Sequence, residues 1–145
     1  MNKLEVDLKE IWPLIYEVIS TGGRFRLFHK GKSMMPLLRE GKDSVSLVKP
    51  DELKKNDIVL YERKSGQLVM HRIVKVKGKE LIMCGDNQAL LERNLLKENV
   101  LAKVEGFYRD ETYVELTNKR YLKYVKKLPF RRFKIRWLFR LGINK

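Results

Sequence analysis

Two residues with the chemistry to cut a peptide, Ser33 and His71, each stand in an unusual short string. Ser33 lies in Gly31-Lys32-Ser33-Met34-Met35-Pro36, and His71 follows 38 positions later in Val69-Met70-His71-Arg72-Ile73. A serine hydroxyl is a weak nucleophile at neutral pH and needs a base to take its proton. In a Ser-His arrangement the neutral imidazole accepts that proton and later returns it to the leaving amine. An unperturbed histidine titrates near ~6.5, so much of it is already in the base form at neutral pH. The oxyanion formed on attack needs backbone N–H donors around the serine, for which Ser33 and Met34 are the candidates. Losing one such donor costs ~100-fold or more.

These residues need rigid elements to position them. Leu4, Leu8, Ile11, Trp12, Ile15, Val18 and Ile19 recur at helical spacing, predicting an amphipathic helix over 4–20 that Thr21-Gly22-Gly23 stops, with Pro13 as a defect inside it. Its apolar stripe is read as packing on the sheet edge, with partner or membrane docking as the alternative. Strands are expected at Arg24–Phe28, Val45–Val48, Ile58–Tyr61, Leu68–Val76, Glu80–Cys84, Val100–Val104 and Thr112–Leu116. Turns fall at Lys64-Ser65-Gly66-Gln67 and Lys77-Gly78-Lys79. Many short strands at close spacing indicate a mainly β fold, antiparallel and partly closed. Ser33 then follows a strand and precedes a proline that restricts the backbone. His71 sits mid-strand, sharing a face with Val69 and Ile73 and shielded from water by them.

Other candidates are weaker. His29 competes as a base, but its strand-and-turn placement suggests the surface. Cys84 reads as a small apolar strand residue rather than a thiol nucleophile. Asp43 and Asp57 read as turn formers, Asp43 with a salt bridge. No Cys/His cluster has metal-ligand spacing, so no metal or cofactor is expected.

Taken in order, Ser33-Met34-Met35-Pro36, His71-Arg72 and Gly85-Asp86-Asn87 resemble the boxes of the signal peptidase I family and the related LexA-type self-cleaving repressors. The resemblance covers roughly residues 24–108. It implies a coiled, partly open antiparallel β-barrel with flanking N- and C-terminal helices. It also implies Ser33 as nucleophile and His71 as base, in the endoplasmic-reticulum and archaeal type, with Asp86 orienting or electrostatically supporting the imidazolium. Gly31, two residues before the serine, looks more like the repressor branch. Asn56-Asp57 replaces the family's usual Gly-Asp and is read as a turn variant. Self-cleavage is not expected, because the only Ala-Gly or Cys-Gly pair, Cys84-Gly85, lies after the serine. The expectation is an endopeptidase acting in trans on a peptide or precursor protein. The alternative is an inactive peptide-binding or membrane-surface module on the same fold.

Charge divides the chain. The net charge is +14, of which residues 119–145 hold eleven Lys and Arg and no acid, leaving only +3 for the rest. The expected organisation is therefore an amphipathic helix (1–23), a peptidase-like β domain (24–117) and a basic amphipathic tail (118–145). In the tail Phe130, Phe133, Trp137, Leu138 and Leu141 recur at helical spacing among arginines, a composition suited to an anionic membrane surface. The alternative is a helix that packs its aromatics on the barrel; nucleic acid ranks last as a partner, for want of a reading motif. One cysteine excludes an internal disulfide and fits a reducing compartment. No segment approaches the ~20 apolar residues of a membrane span, and no signal peptide is evident. The expected location is cytoplasmic, peripheral on the inner face of the membrane where the tail docks.

Overall fold

A computed structural model describes residues 7–142. The elements run α1 (Leu8–Ser20), β1 (Phe25–Phe28), β2 (Ser44–Val48), β3 (Ile58–Glu62), β4 (Leu68–Lys77), β5 (Glu80–Cys84), β6 (Glu92–Leu96), β7 (Val100–Arg109), β8 (Thr112–Glu115) and α2 (Lys119–Arg140). The fold is mainly β: one antiparallel eight-stranded sheet, not closed, with a helix at each end of the chain. The strand order is β1-β2-β7-β3-β4-β5-β6, with β8 added to β7. Lys103 pairs with both Val48 and Val59, and Phe107 with both Val45 and Val114. Strand β7 thus carries β2 along one edge, and β3 followed by β8 along the other.

Burial follows the period of two. Ile58 and Leu60 of β3 join one apolar cluster with Val45, Leu47, Ala102 and Val104. Val59 and Tyr61 join a second with Ile73, Leu81 and Met83. Strand β3 is therefore buried on both faces, which explains its unbroken apolar run. Strand β6 was not foreseen. Of its five residues only Leu95 is buried, and Asn94 has φ +65°, so this polar edge strand carries almost no alternation to read.

Asp7 caps α1, its carboxylate accepting from Lys9 N, so the regular helix begins at Leu8 and the expected Leu4 lies outside the described residues. At the other end Gly22, with φ +89°, lets the N–H groups of Gly22 and Gly23 reach back to the carbonyls of Ile19 and Val18. Ile15 and Ile19 are buried in the first cluster, with Leu8, Ile11 and Trp12 packed against it. The stripe is core, as the sequence suggests. Asn118 caps α2 by accepting from Arg120 N and Tyr121 N. That helix turns Tyr121, Tyr124, Val125 and Leu128 inward, while Phe130, Phe133, Trp137 and Leu141 stay exposed. Of the alternative in which the tail packs its aromatics on the sheet, the structure keeps the packing but with Tyr121 and Tyr124, while Phe130, Phe133 and Trp137 stay outside. No described helix is long and apolar enough to cross a membrane.

If α1 belongs to the core, Ile15→Ala lowers unfolding free energy by ~2–5 kcal/mol. The exposed neighbour Leu14→Ala stays within ~0.5 kcal/mol. Urea titration of the two variants checks this.

Candidate functional site

Ser33 is held in a loop closed at its neck by His29 N donating to Asp43 O and Gly41 N donating to His29 O, both 3.0 Å. Inside it, Met34 and Leu38 are fully buried and anchor the backbone. Asp43, also buried, accepts from Arg39 N, Nε and Nη2, each at 2.8 Å. These Arg39 bonds hold its carboxyl near pKa 2 against the opposing effect of burial. Asp43 therefore forms the expected salt bridge. Arg109 Nη1 clamps the far side of the loop by donating to Pro36 O and Leu37 O. Gly31 has φ +87° and donates its N–H to Glu40 Oε2, a conformation that favours glycine at this position.

The loop rests on the Gly85-Asp86-Asn87 turn. Asn87 N donates to Ser33 O at 2.8 Å, and Asn87 Nδ2 to Lys32 O at 3.2 Å. A Cβ on Gly85 would lie 2.6 Å from Ser33 O, so the glycine is required by close approach. Strands β4 and β5 pair Arg72 with Cys84. Continuing that register by one residue sets His71 across from Gly85. Residues opposite one another in an antiparallel ladder project to the same face. The Ser33 carbonyl, lying where a Gly85 side chain would be, is thus on the face to which His71 projects. Sequence order separates Ser33 from His71, and at Gly85 the Ser33 backbone comes to lie on the His71 face of the sheet. No hydrogen bond joins Ser33 Oγ to His71 among the described residues; such contacts often tighten only with substrate bound.

His71 is 4 % exposed. Burial, followed by the Arg63 charge, pushes its pKa down to about 4, while Glu92 and, last, Asp86 oppose the shift. The Tyr61 hydroxyl lies 3.0 Å from His71 Nδ1 and donates to Glu92 Oε1 at 2.6 Å. Glu92 is held in place by Arg63 Nε and Nη2, both 3.0 Å. Burial raises the Glu92 pKa, but hydrogen bonds from Arg63 and Tyr61 outweigh it and the net shift is downward. An ionised carboxylate only accepts, so the single Tyr61 proton goes to Glu92 and Tyr61 must accept from Nδ1–H. That assigns the tautomer and leaves Nε2 with its lone pair. Nε2 has no hydrogen-bond partner among the described residues and is not one of their fully buried unpartnered side-chain atoms. The N–H groups of Ser33 and Met34 likewise have no acceptor among the described residues.

Asp86 does not contact the imidazole. Its two oxygens accept from Arg72 Nε (2.8 Å) and Nη2 (2.9 Å), and Tyr124 adds a third bond at 2.8 Å. The orienting part expected of Asp86 belongs to Tyr61, and Asp86 acts on His71 only through its field. The reason is strand geometry: Arg72 points to the face opposite His71, and Asp86 is on the Arg72 side. Arg72 also donates to Asn56 O and Tyr121 Oη. Asn56 has φ +79°, so it does serve as the turn variant. Arg131 reaches from α2 to Asp86 O and Asn87 Oδ1.

His29 corrects another expectation. It is buried, not superficial, with Nε2 unpartnered, and burial lowers its pKa. Leu27 and Met34 turn this end of the loop into the core, which strand-end placement alone did not reveal. Cys84 is buried, as expected of a small apolar residue, and burial pushes its thiol pKa up. The sequence reading missed Tyr61, Arg63 and Glu92. Tyr61 was visible two residues from Val59, the cross-strand partner of His71, but Glu92 lies on the unforeseen strand. Beside this network is a cleft of about 410 Å³ lined by Arg63, Asn87, Gln88, Ala89, Leu90, Leu91, Glu92 and Phe139. No group of His, Cys, Asp and Glu among the described residues is placed to hold a metal ion. No protein-family model and no curated protein matches the chain.

Asp86→Ala strands a buried guanidinium and is expected to cost ~3–5 kcal/mol, read by denaturant titration. Stability also depends on His71. Its folded pKa lies below the unfolded value, so the unfolded chain binds the extra proton. The contribution is complete above pH ~6.5 and is lost as pH falls toward 4, by about 3 kcal/mol. Urea midpoints between pH 7 and 4 should fall, and His71→Gln should flatten the decline.

Proposed function

We propose that the protein is a serine endopeptidase resembling signal peptidase I, on a coiled sheet of the LexA and signal peptidase type, that cleaves a peptide or precursor protein in trans. One observation carries this reading: the His71 imidazole is held at Nδ1 through Tyr61 to Glu92, on the sheet face where the Ser33 carbonyl rests over Gly85. The order of the serine, histidine and Gly-Asp-Asn motifs supports the same conclusion.

In the proposed reaction Nε2 takes the Ser33 Oγ proton as Oγ bonds to the scissile carbonyl carbon. The N–H groups of Ser33 and Met34 donate to the oxyanion. The imidazolium gives its proton to the leaving amine as the C–N bond breaks, leaving an ester on Ser33. Water then attacks that ester, with His71 again the base, and releases the acid and the free serine. Glu92, acting through Tyr61, stabilises the imidazolium and holds the ring. The cleft walled by Leu90, Leu91 and Phe139 adjoins this centre and offers room for substrate side chains.

The test is cleavage of an unstructured peptide library followed by mass spectrometry. Ser33→Ala and His71→Ala should each reduce cleavage by ~1,000-fold or more with a native circular dichroism spectrum. Tyr61→Phe should lower kcat by up to ~100-fold while KM changes little. The acid limb of kcat/KM should lie near pH 4 rather than near ~6.5, because protonated His71 accepts nothing. Cleavage that survives both Ser33→Ala and His71→Ala removes the assignment. Peptides bound by the wild-type protein but never cut would make it a peptide-binding module.

A further inference from the structure

Helix α2 has two working faces. Its inward face is occupied by Tyr121, Tyr124, Leu128 and Arg131, which pack on the sheet or bond to the Gly-Asp-Asn turn. On the opposite face Leu122, Phe130, Phe133, Trp137 and Leu141 follow one another at intervals of three, four or eight residues, which in an α-helix is a single stripe. That stripe is open to solvent: Phe130 is 75 % exposed, Phe133 65 % and Trp137 55 %. Lys123, Lys126, Lys127, Lys134 and Arg140 flank it, and no acidic residue occurs anywhere in the helix. A groove of about 660 Å³ at its start sets Lys55, Lys119, Lys123 and Lys126 around Leu122 and Pro129.

We propose that this outer face of α2 docks the protein on an anionic lipid bilayer, lying in the plane of the interface. The charge is complementary to acidic headgroups, since ten Lys and Arg within the 22 residues meet no intrahelical carboxylate. The large apolar side chains sit among those charges, the composition that buries rings at the headgroup–acyl boundary. Nucleic acid also attracts lysine, but it does not call for a continuous stripe that includes two leucines beside the aromatics. The lysine-lined groove suits a headgroup phosphate. This face does not include Ser33 or His71, and its occupancy does not depend on cleavage.

The experiment is flotation of the full chain with vesicles of phosphatidylglycerol and phosphatidylcholine, and with phosphatidylcholine alone. Binding is expected to the anionic vesicles, at least tenfold above the neutral ones and weakened by salt. Each of Lys123→Gln, Lys126→Gln and Lys134→Gln should reduce it about fivefold. Phe130→Ser/Phe133→Ser should abolish it with the melting temperature retained, because neither ring is buried in the fold. Trp137 emission should shift to the blue on binding, whereas Trp137→Phe, which leaves only Trp12, should show no shift. Failure to float with anionic vesicles would overturn the proposal. So would flotation unchanged by both sets of substitutions, or retention by RNA or duplex DNA in place of vesicles.

Discussion

Arg72 and Asp86 expose no side-chain surface, and the geometry around the candidate site depends on their being paired. Placing two charges in the interior is costly, and their attraction repays it only when the remaining donors and acceptors are also satisfied. Here they are. Arg72 uses Nε and Nη2 on the carboxylate, and Nη1 on Asn56 O and Tyr121 Oη. Asp86 takes a further bond from Tyr124. The pair therefore ties together the turn before β3, the middle of β4, the turn after β5 and the first turns of α2.

The consequence for the chemistry comes from the period of a strand. Arg72 and His71 are adjacent, so they leave β4 on opposite faces. Fixing Arg72 by four hydrogen bonds fixes the strand on which His71 stands. On the other face Tyr61 and Glu92 set the ring itself. One dipeptide thus serves two environments: a polar, fully satisfied one behind the sheet and a largely apolar one in front. The apolar side lowers the His71 pKa, and the Tyr61–Glu92 link keeps the neutral ring in the tautomer with Nε2 bare. Burial and orientation act together, since a buried imidazole without a hydrogen-bond partner would be a strained core residue, as His29 Nε2 illustrates.

What the sequence disclosed follows from where its patterns are strong. Strands β3, β4 and β5 alternate or run apolar and were legible with their turns, and so was the face of β4 to which His71 belongs. The two helices were legible from their stripes, although the direction in which α2 presents its stripe was not. Helical spacing identifies two faces, and only tertiary packing says that tyrosines rather than phenylalanines turn inward. The edge strand β6 escaped because Glu92, Arg93 and Asn94 carry no apolar period, and with it went the carboxylate that anchors Tyr61. Asp86 was expected to orient or electrostatically support His71, and the structure bonds it to Arg72 and Tyr124 instead of the ring, leaving only its charge to act there. Residue order carries no information on which neighbour a carboxylate faces across a sheet, and the adjacent arginine, being the nearest cation on its face, wins.

Arg131 shows how closely the outer and inner sides of α2 are linked. One turn after the buried Leu128, it donates to Asp86 O and to Asn87 Oδ1, and Asn87 in turn donates to Lys32 O and Ser33 O. Two hydrogen-bonded steps therefore separate α2 from the backbone of the serine. The next residue, Arg132, is buried with Nε and Nη2 unpartnered, and burial lowers its pKa. Such a group is costly to keep in place, and the field of Asp86 opposes that cost. The same carboxylate that holds Arg72 thus makes it tolerable for a strongly cationic helix to lie against the sheet. Remove that carboxylate, and Arg72 loses two of its four hydrogen bonds while its repulsion of Arg132 goes unopposed.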